Sequence, residues 1–314
     1  MTDLAPADPI AESGGEIVWF EGLDGMRLRA AHWPAMTRGT VLLLNGRAEY
    51  IEKHLEAIAE LQARGFAVWT MDWRGQGQSG RLLPDRLRHH ILSFDDYLAD
   101  AGQLLDTAIV SSLRDRPLVM IAHSMGGHLG ARILSQRPEL FARAVLCSPM
   151  IDFLRGGPLL RVFARLVFKA GCLKPSQVTR FGPGTSPRPR LDTPFEGNRL
   201  TTCAHRYEYD IALLRSLPDM HLGGCTWGWL RAASDSIATL LRTRVMRRIA
   251  MPVLIALAGA DRVVDNKAMR QFAHSLPQAR IVEIPGAAHE LLRENDQRRS
   301  MVWAEIDRFL ESVG

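Results

Sequence analysis

Cysteine is scarce in this sequence, and the spacings that bind metals or build disulfide frameworks are missing. The 314 residues contain 4 cysteines, which are Cys147, Cys172, Cys203 and Cys225. They form no C-x-x-C pair and no Cys/His set at metal-ligand intervals. This excludes zinc modules and small disulfide-stabilised secreted folds. We therefore expect free thiols in a reducing compartment and no metal site built from these cysteines.

Long hydrophobic runs are also missing. No stretch approaches the ~20 apolar residues that a membrane-spanning helix needs. Residues 1–15 are acidic and rich in Pro, Ala and Gly, and they lack the basic and apolar regions of a secretory signal. We expect this segment to be a flexible tail on a cytoplasmic protein, whose contact with the inner membrane would be peripheral.

The positive charge is confined to one part of the chain. The formal net charge is +5, but residues 151–250 contain 16 Lys and Arg against 7 Asp and Glu, a net charge of +9. The remaining residues therefore carry −4. No phosphate-binding loop, zinc-finger spacing or basic-aromatic motif accompanies this excess, so we expect no nucleic-acid partner. An anionic lipid surface is the partner that the excess favours.

Strand-like and helix-like segments alternate along most of the chain. Two strand-like runs flank a D-G turn at residues 24–25, and the later apolar runs are mostly followed by helical patterns. Such repeats build a mostly parallel sheet covered by helices, here with an antiparallel edge hairpin. The alternation stops after the sixth strand. We therefore expect a core of residues 16–149 and 249–314 and an inserted helical cap of residues 150–248.

A candidate nucleophile stands between a strand and a helix. Residues 117–122 indicate a short buried strand, and residues 128–136 a helix, with Ser124 in the tight turn between them. This is the context of the nucleophile elbow G-x-S-x-G, with Ala122 in place of the first glycine. The helix N-terminus would favour developing negative charge beside the hydroxyl. A serine that only caps the helix is the competing interpretation.

A base and an acid follow in the order that this fold requires, which is Ser, then Asp or Glu, then His. Asp261 comes just after a predicted strand, and His289 follows the last one. We expect His289 to be the general base and Asp261 to orient it. Asp265 is the alternative acid, although it is also placed to cap the next helix.

An oxyanion hole is expected from two backbone N–H groups. One belongs to Met125, which follows the nucleophile, and the other to Arg47 in the loop after the third strand. His123 is expected to point away from the nucleophile. Asp72 and Arg74 are interpreted as an ion pair that braces a glycine-rich turn.

Several segments together resemble one family in the same order: NGRAEY at 45–50, DWRGQGQSGR at 72–81, AHSMGG at 122–127, DRVVDN at 261–266 and GAAHE at 286–290. They are similar to the monoacylglycerol-lipase-like α/β-hydrolases, and within them to bacterial lysophospholipases. The resemblance covers residues 16–312. It implies an α/β-hydrolase fold, the triad Ser124, Asp261 and His289, and no cofactor. Asn45 stands where monoacylglycerol lipases usually have histidine, which favours the lysophospholipases.

The expected activity is hydrolysis of the single acyl ester of a lysophospholipid through an acyl-enzyme. The cap would cover the acyl pocket, and the candidate substrate-binding residues are Asn45, Arg161, Arg165 and Trp227. Alternatives are a monoacylglycerol lipase or general carboxylesterase, a proline-directed peptidase, an acyltransferase that uses a lysophospholipid as donor, and a non-catalytic lipid-binding protein. The expected partner is a lipid substrate, and the oligomeric state is not indicated.

Overall fold

Eight strands form one sheet in the part of the chain that the computed structural model describes, which is residues 8–34, 37–153, 157–189, 191–311 and 313. Their order across the sheet is β1-β2-β4-β3-β5-β6-β7-β8. The strands are β1 (Glu16–Glu21), β2 (Arg27–Trp33), β3 (Gly39–Leu44), β4 (Phe66–Met71), β5 (Leu118–His123), β6 (Phe141–Cys147), β7 (Val253–Ala258) and β8 (Ala279–Ile284).

The sheet is antiparallel only at one edge. β1 pairs with β2 and β2 with β4 in antiparallel register, and every other neighbouring pair is parallel. All residues of β3, β5 and β7 are buried, because helices cover both faces of these central strands. The mostly parallel sheet with an antiparallel edge hairpin is therefore confirmed.

The helices include those that cover the two faces of the sheet and those that lie between β6 and β7 in the sequence. They are α1 (Pro9–Glu12), α2 (Leu55–Ala63), α3 (Asp95–Leu104), α4 (Val110–Ser112), α5 (Ser124–Gln136), α6 (Gly157–Gly171), α7 (Pro175–Val178), α8 (Ala204–Ser216), α9 (Trp227–Leu240), α10 (Thr243–Met246), α11 (Asn266–His274) and α12 (Asp296–Leu310). Short 3₁₀ turns at Ile51–His54, Pro218–Met220 and Leu291–Arg293, and a π turn at Leu105–Ile109, connect or extend them.

Two hydrophobic clusters lie on opposite faces, because alternate strand residues point in opposite directions. Leu42 and Met120 pack with residues of α3, α5, α9 and α11. Val41 and Val119, one position earlier on the same strands, pack with residues of α1, α2 and α12. The sheet is thus the middle layer of three, and the ends of its strands are left for loops.

The prediction of a flexible N-terminal tail is wrong for residues 8–15. Asp8 caps α1 by accepting a hydrogen bond from the Ile10 N–H at 3.0 Å. Ile10 is fully buried, and the Ser13 hydroxyl accepts a hydrogen bond from the Trp33 indole at 3.0 Å. One buried isoleucine in a polar segment is enough to hold α1 against the sheet. Residues 1–7 lie outside the described residues.

A long insertion separates β6 from β7 and contains α6 to α10. Part of this insertion packs with the core. Trp229 and Ala233 of α9 are buried in the same cluster as Leu129 of α5. The insertion therefore includes at least one helix, α9, that packs with the helices on the sheet.

The expected ion pair between Asp72 and Arg74 does not form. Asp72 instead contacts Arg29 at 2.6 Å, and Arg74 contacts Asp100 at 2.6 Å and Asp24 at 2.9 Å. These partners are 26 to 50 positions away along the chain. The local pattern correctly indicated charged bracing of the turn but not its partners.

Gly126 is predicted to tolerate no side chain. A Cβ atom there would lie 2.4 Å from the Asn45 carbonyl oxygen and 2.6 Å from that of Leu44, both backbone atoms. Gly126→Ala should lower the free energy of unfolding by about 1–3 kcal/mol. Urea unfolding monitored by circular dichroism measures this.

Gly102→Ala in α3 is the matched control, since a Cβ atom at this position would meet no heavy atom within 4 Å outside its own helix turn. It should leave stability unchanged or raise it by up to ~1 kcal/mol, because alanine favours helix. Equal midpoints for the two variants would contradict the close approach of α5 to β3.

Candidate active site

Ser124 occupies a strained turn between a buried strand and a helix. It directly follows β5, begins α5 and has a φ of 54°. A non-glycine residue rarely adopts this left-handed conformation, and such strain is concentrated at functional turns. The geometry is that of a nucleophile elbow.

The alanine at the first glycine position of the motif is accommodated by a glycine in the helix. Ala122 is fully buried at the end of β5. A Cβ atom on Gly130 would lie 3.3 Å from the Ala122 methyl, closer than most such contacts. The absent side chain at Gly130 therefore leaves the space that the methyl of Ala122 fills.

The structure brings the three residues of the predicted triad together. The Nε2 atom of His289 lies 2.8 Å from the Ser124 hydroxyl oxygen, and its Nδ1 atom lies 2.8 Å from Oδ2 of Asp261. Their exposed fractions are only 8%, 3% and 7% for Ser124, His289 and Asp261. Asp261 follows β7 and His289 follows β8, so the ends of three parallel strands supply the set.

The environment of Asp261 fixes its charge. Burial disfavours that charge, but His289 and the N–H groups of Val263 and Val264 hold the pKa of Asp261 below its ordinary value. The N–H groups donate to Oδ1 at 2.7 and 3.1 Å. An ionised carboxylate only accepts hydrogen bonds, so the His289 proton belongs on Nδ1, which leaves the Nε2 lone pair for Ser124.

Asp265 does not contact His289. Its side chain caps α11 by accepting hydrogen bonds from the Lys267 and Ala268 N–H groups at 2.8 and 3.4 Å. The capping role expected for it is confirmed.

The loop after β3 contains the Arg47 backbone N–H, one of the two predicted oxyanion donors. The Gly46 N–H donates to the Glu49 carboxylate, and the Ala48 N–H donates to Oε1 of Gln76 at 3.2 Å. Between them, the Arg47 N–H has no acceptor among the described residues. Met125 is the second residue of α5, where no helix carbonyl reaches the N–H. Their predicted role in an oxyanion hole remains a prediction that this geometry allows.

Glu49 links this loop to the histidine loop, a role that the sequence pattern did not indicate. Besides Gly46, its carboxylate contacts Nδ1 of His123 at 3.2 Å, Nε2 of His54 at 3.2 Å and Nζ of Lys53 at 3.4 Å. The Nε2 atom of His123 lies 3.3 Å from the His289 carbonyl oxygen. Both His123 nitrogens thus contact groups other than Ser124. The available signal was the acidic residue inside the NGRAEY segment.

Burial and neighbouring charges have opposite effects on the pKa values of Glu49 and His123. Burial opposes the charge of Glu49, but His123 and Lys53 hold its pKa well below the ordinary value. Burial likewise opposes the charge of His123, but Glu49 raises its pKa. Glu49 and His123, in contact at 3.2 Å beside the candidate nucleophile, thus each favour the charged form of the other.

A cavity of about 360 Å³ opens beside Ser124 and His289. Part of its wall is apolar and comes from α8 and the residues that follow it, namely Ile211, Leu214, Met220 and Leu222. Another part is charged and contains Arg47, Glu49, Lys53, Arg188, Asp210 and Glu290. Mixed walls of this kind suit an amphipathic ligand.

Asn45 and Trp227, predicted to bind substrate, do not line this cavity. Asn45 is fully buried, and its side-chain amide donates to the Met71 carbonyl at 3.0 Å, which holds the loop against β4. The Trp227 ring packs on Gly171 at the end of α6, where a Cβ atom would lie 2.1 Å from it. Both side chains pack against protein groups in this structure, and their contact with substrate stays a prediction.

Arg161 and Arg165, the other two predicted binding residues, also lie outside the cavity wall. Arg161 contacts Asp152 and lies 3.8 Å from Asp265, and Arg165 pairs with Asp235 at 2.9 Å. Each arginine thus has a carboxylate beside it, 9 positions away in the sequence for Arg161 and 70 for Arg165. Contact of these two arginines with a phosphate group stays a prediction, and it would compete with these ion pairs.

Neither a metal cluster nor a membrane span is present in the described ranges. They contain no group of three or more His, Cys, Asp or Glu side chains able to hold a metal ion. They also contain no helix long and apolar enough to cross a membrane.

The fold and the site geometry define a serine hydrolase, and the sequence comparison agrees. Residues 35–296 match the Hydrolase_4 family, described as serine aminopeptidase S33, and the chain belongs to this family. The resemblance inferred from the motifs is confirmed.

Several individual proteins are similar to most of this chain. The chain is 30% identical to the probable lysophospholipase L2 of Haemophilus influenzae, over 87% of this chain and 84% of that one. It is also 30% identical to lysophospholipase L2 of Escherichia coli strain K12, over 92% and 86%. Identity to the monoacylglycerol lipase of Mycolicibacterium smegmatis is 24%, over 89% and 91%.

Solved structures share the fold. A soluble variant of monoglyceride lipase from Saccharomyces cerevisiae, in complex with a substrate analogue, superposes with a TM-score of 0.69 at 20% identity, covering 95% of this chain and 96% of that one. A thermostable carboxyl esterase from Bacillus coagulans gives a TM-score of 0.74 at 15% identity, covering 96% and 99%.

The choice between Asp261 and Asp265 leads to a prediction. Asp261→Asn should lower kcat by about 10⁴-fold, because a neutral amide can stabilise the wrong His289 tautomer. Asp265→Asn should keep kcat within a few-fold, since asparagine also caps helices. Steady-state hydrolysis of a p-nitrophenyl ester measures both, and a larger loss in the Asp265 variant would refute the assignment.

Proposed function

We propose that this protein hydrolyses the single acyl ester of lysophospholipids and releases the fatty acid through an acyl-enzyme on Ser124. The observation that carries this proposal is the hydrogen-bonded set of Ser124, His289 and Asp261, which opens on a cavity with one apolar and one charged part. A monoacyl phospholipid has the same division into an apolar chain and a charged head group.

The reaction follows from the roles proposed for these groups. His289 accepts the Ser124 proton as the hydroxyl attacks the ester carbonyl, and Asp261 stabilises the imidazolium that forms. The Arg47 and Met125 N–H groups hold the oxyanion of the tetrahedral intermediate. His289 then protonates the departing glycerol oxygen. Water, activated by the same histidine, cleaves the acyl-enzyme and regenerates the Ser124 hydroxyl.

The choice of a lysophospholipid over a monoacylglycerol rests on two supports. The relatives named lysophospholipase L2 are 30% identical to this chain, whereas the relative named monoacylglycerol lipase is 24% identical. The cavity wall also contains several charged residues, which a neutral glycerol head group does not require. A monoacylglycerol lipase is the second candidate, because the same triad would cleave its ester.

The insertion of residues 150–248 is proposed as the cap over this cavity. Supporting this, its helix α8 contributes Ile211 and Leu214 to the apolar wall, while the triad comes from the flanking segments. Within the insertion, α9 would act as the base of the cap, since it packs on α5.

The outer face of α6 is proposed to rest on a lipid surface at the cytoplasmic side of the inner membrane. Leu159, Val162, Phe163 and Leu166 have exposed fractions of 87%, 60%, 63% and 61% and recur at helical spacing. The net charge of +9 in residues 151–250 favours anionic lipid. The four cysteines are free, as expected of a reducing compartment.

The proposed activity predicts which products form. Wild type should release fatty acid from a lysophospholipid faster than from a monoacylglycerol of equal chain length. Ser124→Ala should abolish release from both, with unchanged circular dichroism. Chromatography of the products separates free fatty acid from acyl groups passed to a second lipid. Retained turnover in Ser124→Ala, or acyl transfer as the main product, would overturn the proposal.

The proposed membrane contact predicts a difference between two exposed leucines. Leu159→Asp should weaken sedimentation with vesicles of phosphatidylglycerol and phosphatidylethanolamine at least tenfold, because each buried leucine contributes about 1.5–3 kcal/mol. Leu23→Asp is the matched control, since Leu23 is 75% exposed in the turn between β1 and β2. Equal binding by the two variants would exclude α6 as the contact surface.

A further inference from the structure

Two arginines at the cavity wall have no carboxylate partner among the described residues. Arg47 lies in the loop after β3, and Arg188 lies in the segment that precedes α8. Both line the cavity together with Ser124. The Arg47 guanidinium donates to the Gly223 carbonyl oxygen at 3.1 Å and also contacts the Cys225 thiol. Since a guanidinium has five N–H donors, most of them are available for a ligand.

The other charged groups of the wall neutralise one another or adjacent groups. Lys53 lies 2.7 Å from Glu290 and 3.4 Å from Glu49. Asp210 pairs with Arg293, directly behind the wall. Each carboxylate that faces the cavity thus has a cation beside it. Arg47 and Arg188 are the two charged residues of the wall that have no oppositely charged side chain beside them among the described residues.

Backbone packing brings these two arginines to the same strip of the wall. Gly223, which accepts the Arg47 hydrogen bond, packs so closely on the residue before Arg188 that a Cβ atom would lie 2.8 Å from the Pro187 carbonyl oxygen. The next residue, Gly224, donates its N–H to the Ser186 carbonyl at 2.6 Å. The segment that contains Arg188 therefore packs against Gly223 and Gly224, and Gly223 accepts the hydrogen bond from the Arg47 side chain.

Phosphate is the ligand that this arrangement fits. Guanidinium groups bind phosphate oxygens with paired, charge-assisted hydrogen bonds, and two of them offset its negative charge. Ser186 also lines this part of the cavity, and its hydroxyl, which accepts a hydrogen bond from the Arg188 N–H at 3.1 Å, keeps its own proton as a further potential donor. We propose that Arg47 and Arg188 form a phosphate subsite that selects phosphate-bearing monoacyl esters over neutral ones.

Arg47 belongs both to the proposed phosphate subsite and to the proposed oxyanion hole, where the ester reacts. Its backbone N–H is the proposed oxyanion donor, and its guanidinium extends along the wall to Gly223. In a lysophospholipid, only the glycerol unit separates the ester from the phosphate. One residue can thus present its N–H to the ester oxygen and its side chain to the phosphate. This inference rests on the proposed hydrolysis of lysophospholipids and assigns their head-group recognition.

The test compares two soluble substrates of equal chain length, decanoyl lysophosphatidylcholine and monodecanoylglycerol, below their micelle-forming concentrations so that membrane contact does not contribute. Arg188→Gln should lower the ratio of kcat/KM for the phosphate ester to kcat/KM for the neutral ester by about tenfold to hundredfold, mainly through KM. Arg47→Gln, which keeps the backbone N–H, should act in the same direction. Arg188→Lys should recover part of the loss.

Arg244→Gln is the matched control, because Arg244 is exposed on α10, away from the cavity wall, and its loss should leave the ratio unchanged. Inorganic phosphate should compete with the lysophospholipid more strongly in wild type than in Arg188→Gln. An unchanged ratio in the double variant Arg47→Gln/Arg188→Gln, with lysophospholipid hydrolysis intact, would overturn the subsite alone. Failure of wild type to cleave either ester would overturn the proposed function as well.

Discussion

The left-handed backbone of Ser124 is the constraint on which the rest of the site depends. A φ of 54° turns the chain from β5 into α5 within one residue and leaves the hydroxyl facing the cavity. The turn is possible because α5 approaches β3 closely, and Gly126 meets the Asn45 carbonyl without a side chain between them. The same approach brings the loop that contains Arg47 beside Ser124. Strain at one residue thus fixes the relative positions of the proposed nucleophile and oxyanion donors.

A single buried carboxylate joins the two loops that flank this turn. Glu49 holds the Gly46 N–H on one side and the His123 ring on the other, and His123 in turn contacts the His289 carbonyl. Burying such charges is costly unless each has a partner, and here the Lys53 ammonium completes the set. We infer that this network sets the spacing between the loop of the proposed oxyanion donor Arg47 and the loop of the proposed base His289, so that neither loop moves independently of the other.

The residues proposed for catalysis and those proposed for ligand selection come from different parts of the chain. The ends of β5, β7 and β8 supply the triad, whereas the insertion supplies much of the apolar wall and Arg188. Positive charge in the insertion is abundant, yet Arg161 and Arg165 of α6 pair with acidic residues nearby in space. A surplus of positive charge in the sequence therefore indicates which region is basic. Ion pairs in the folded protein determine which of its arginines remain available to bind an anion.

Local patterns in the sequence determined the alternation of strands and helices, the nucleophile elbow and the chain order of the predicted triad. Fully buried strands such as β3, β5 and β7 are mostly continuous apolar runs, and the sequence shows where each run ends. Only the tertiary structure decided the partners. Arg165 pairs with Asp235, 70 positions away, and Asn45 turns into the core rather than the cavity. The buried Ile10 holds α1 against the sheet, although the composition of residues 1–15 predicted a flexible tail. Ion pairs and side-chain burial are set by distances in space, which a linear pattern does not contain.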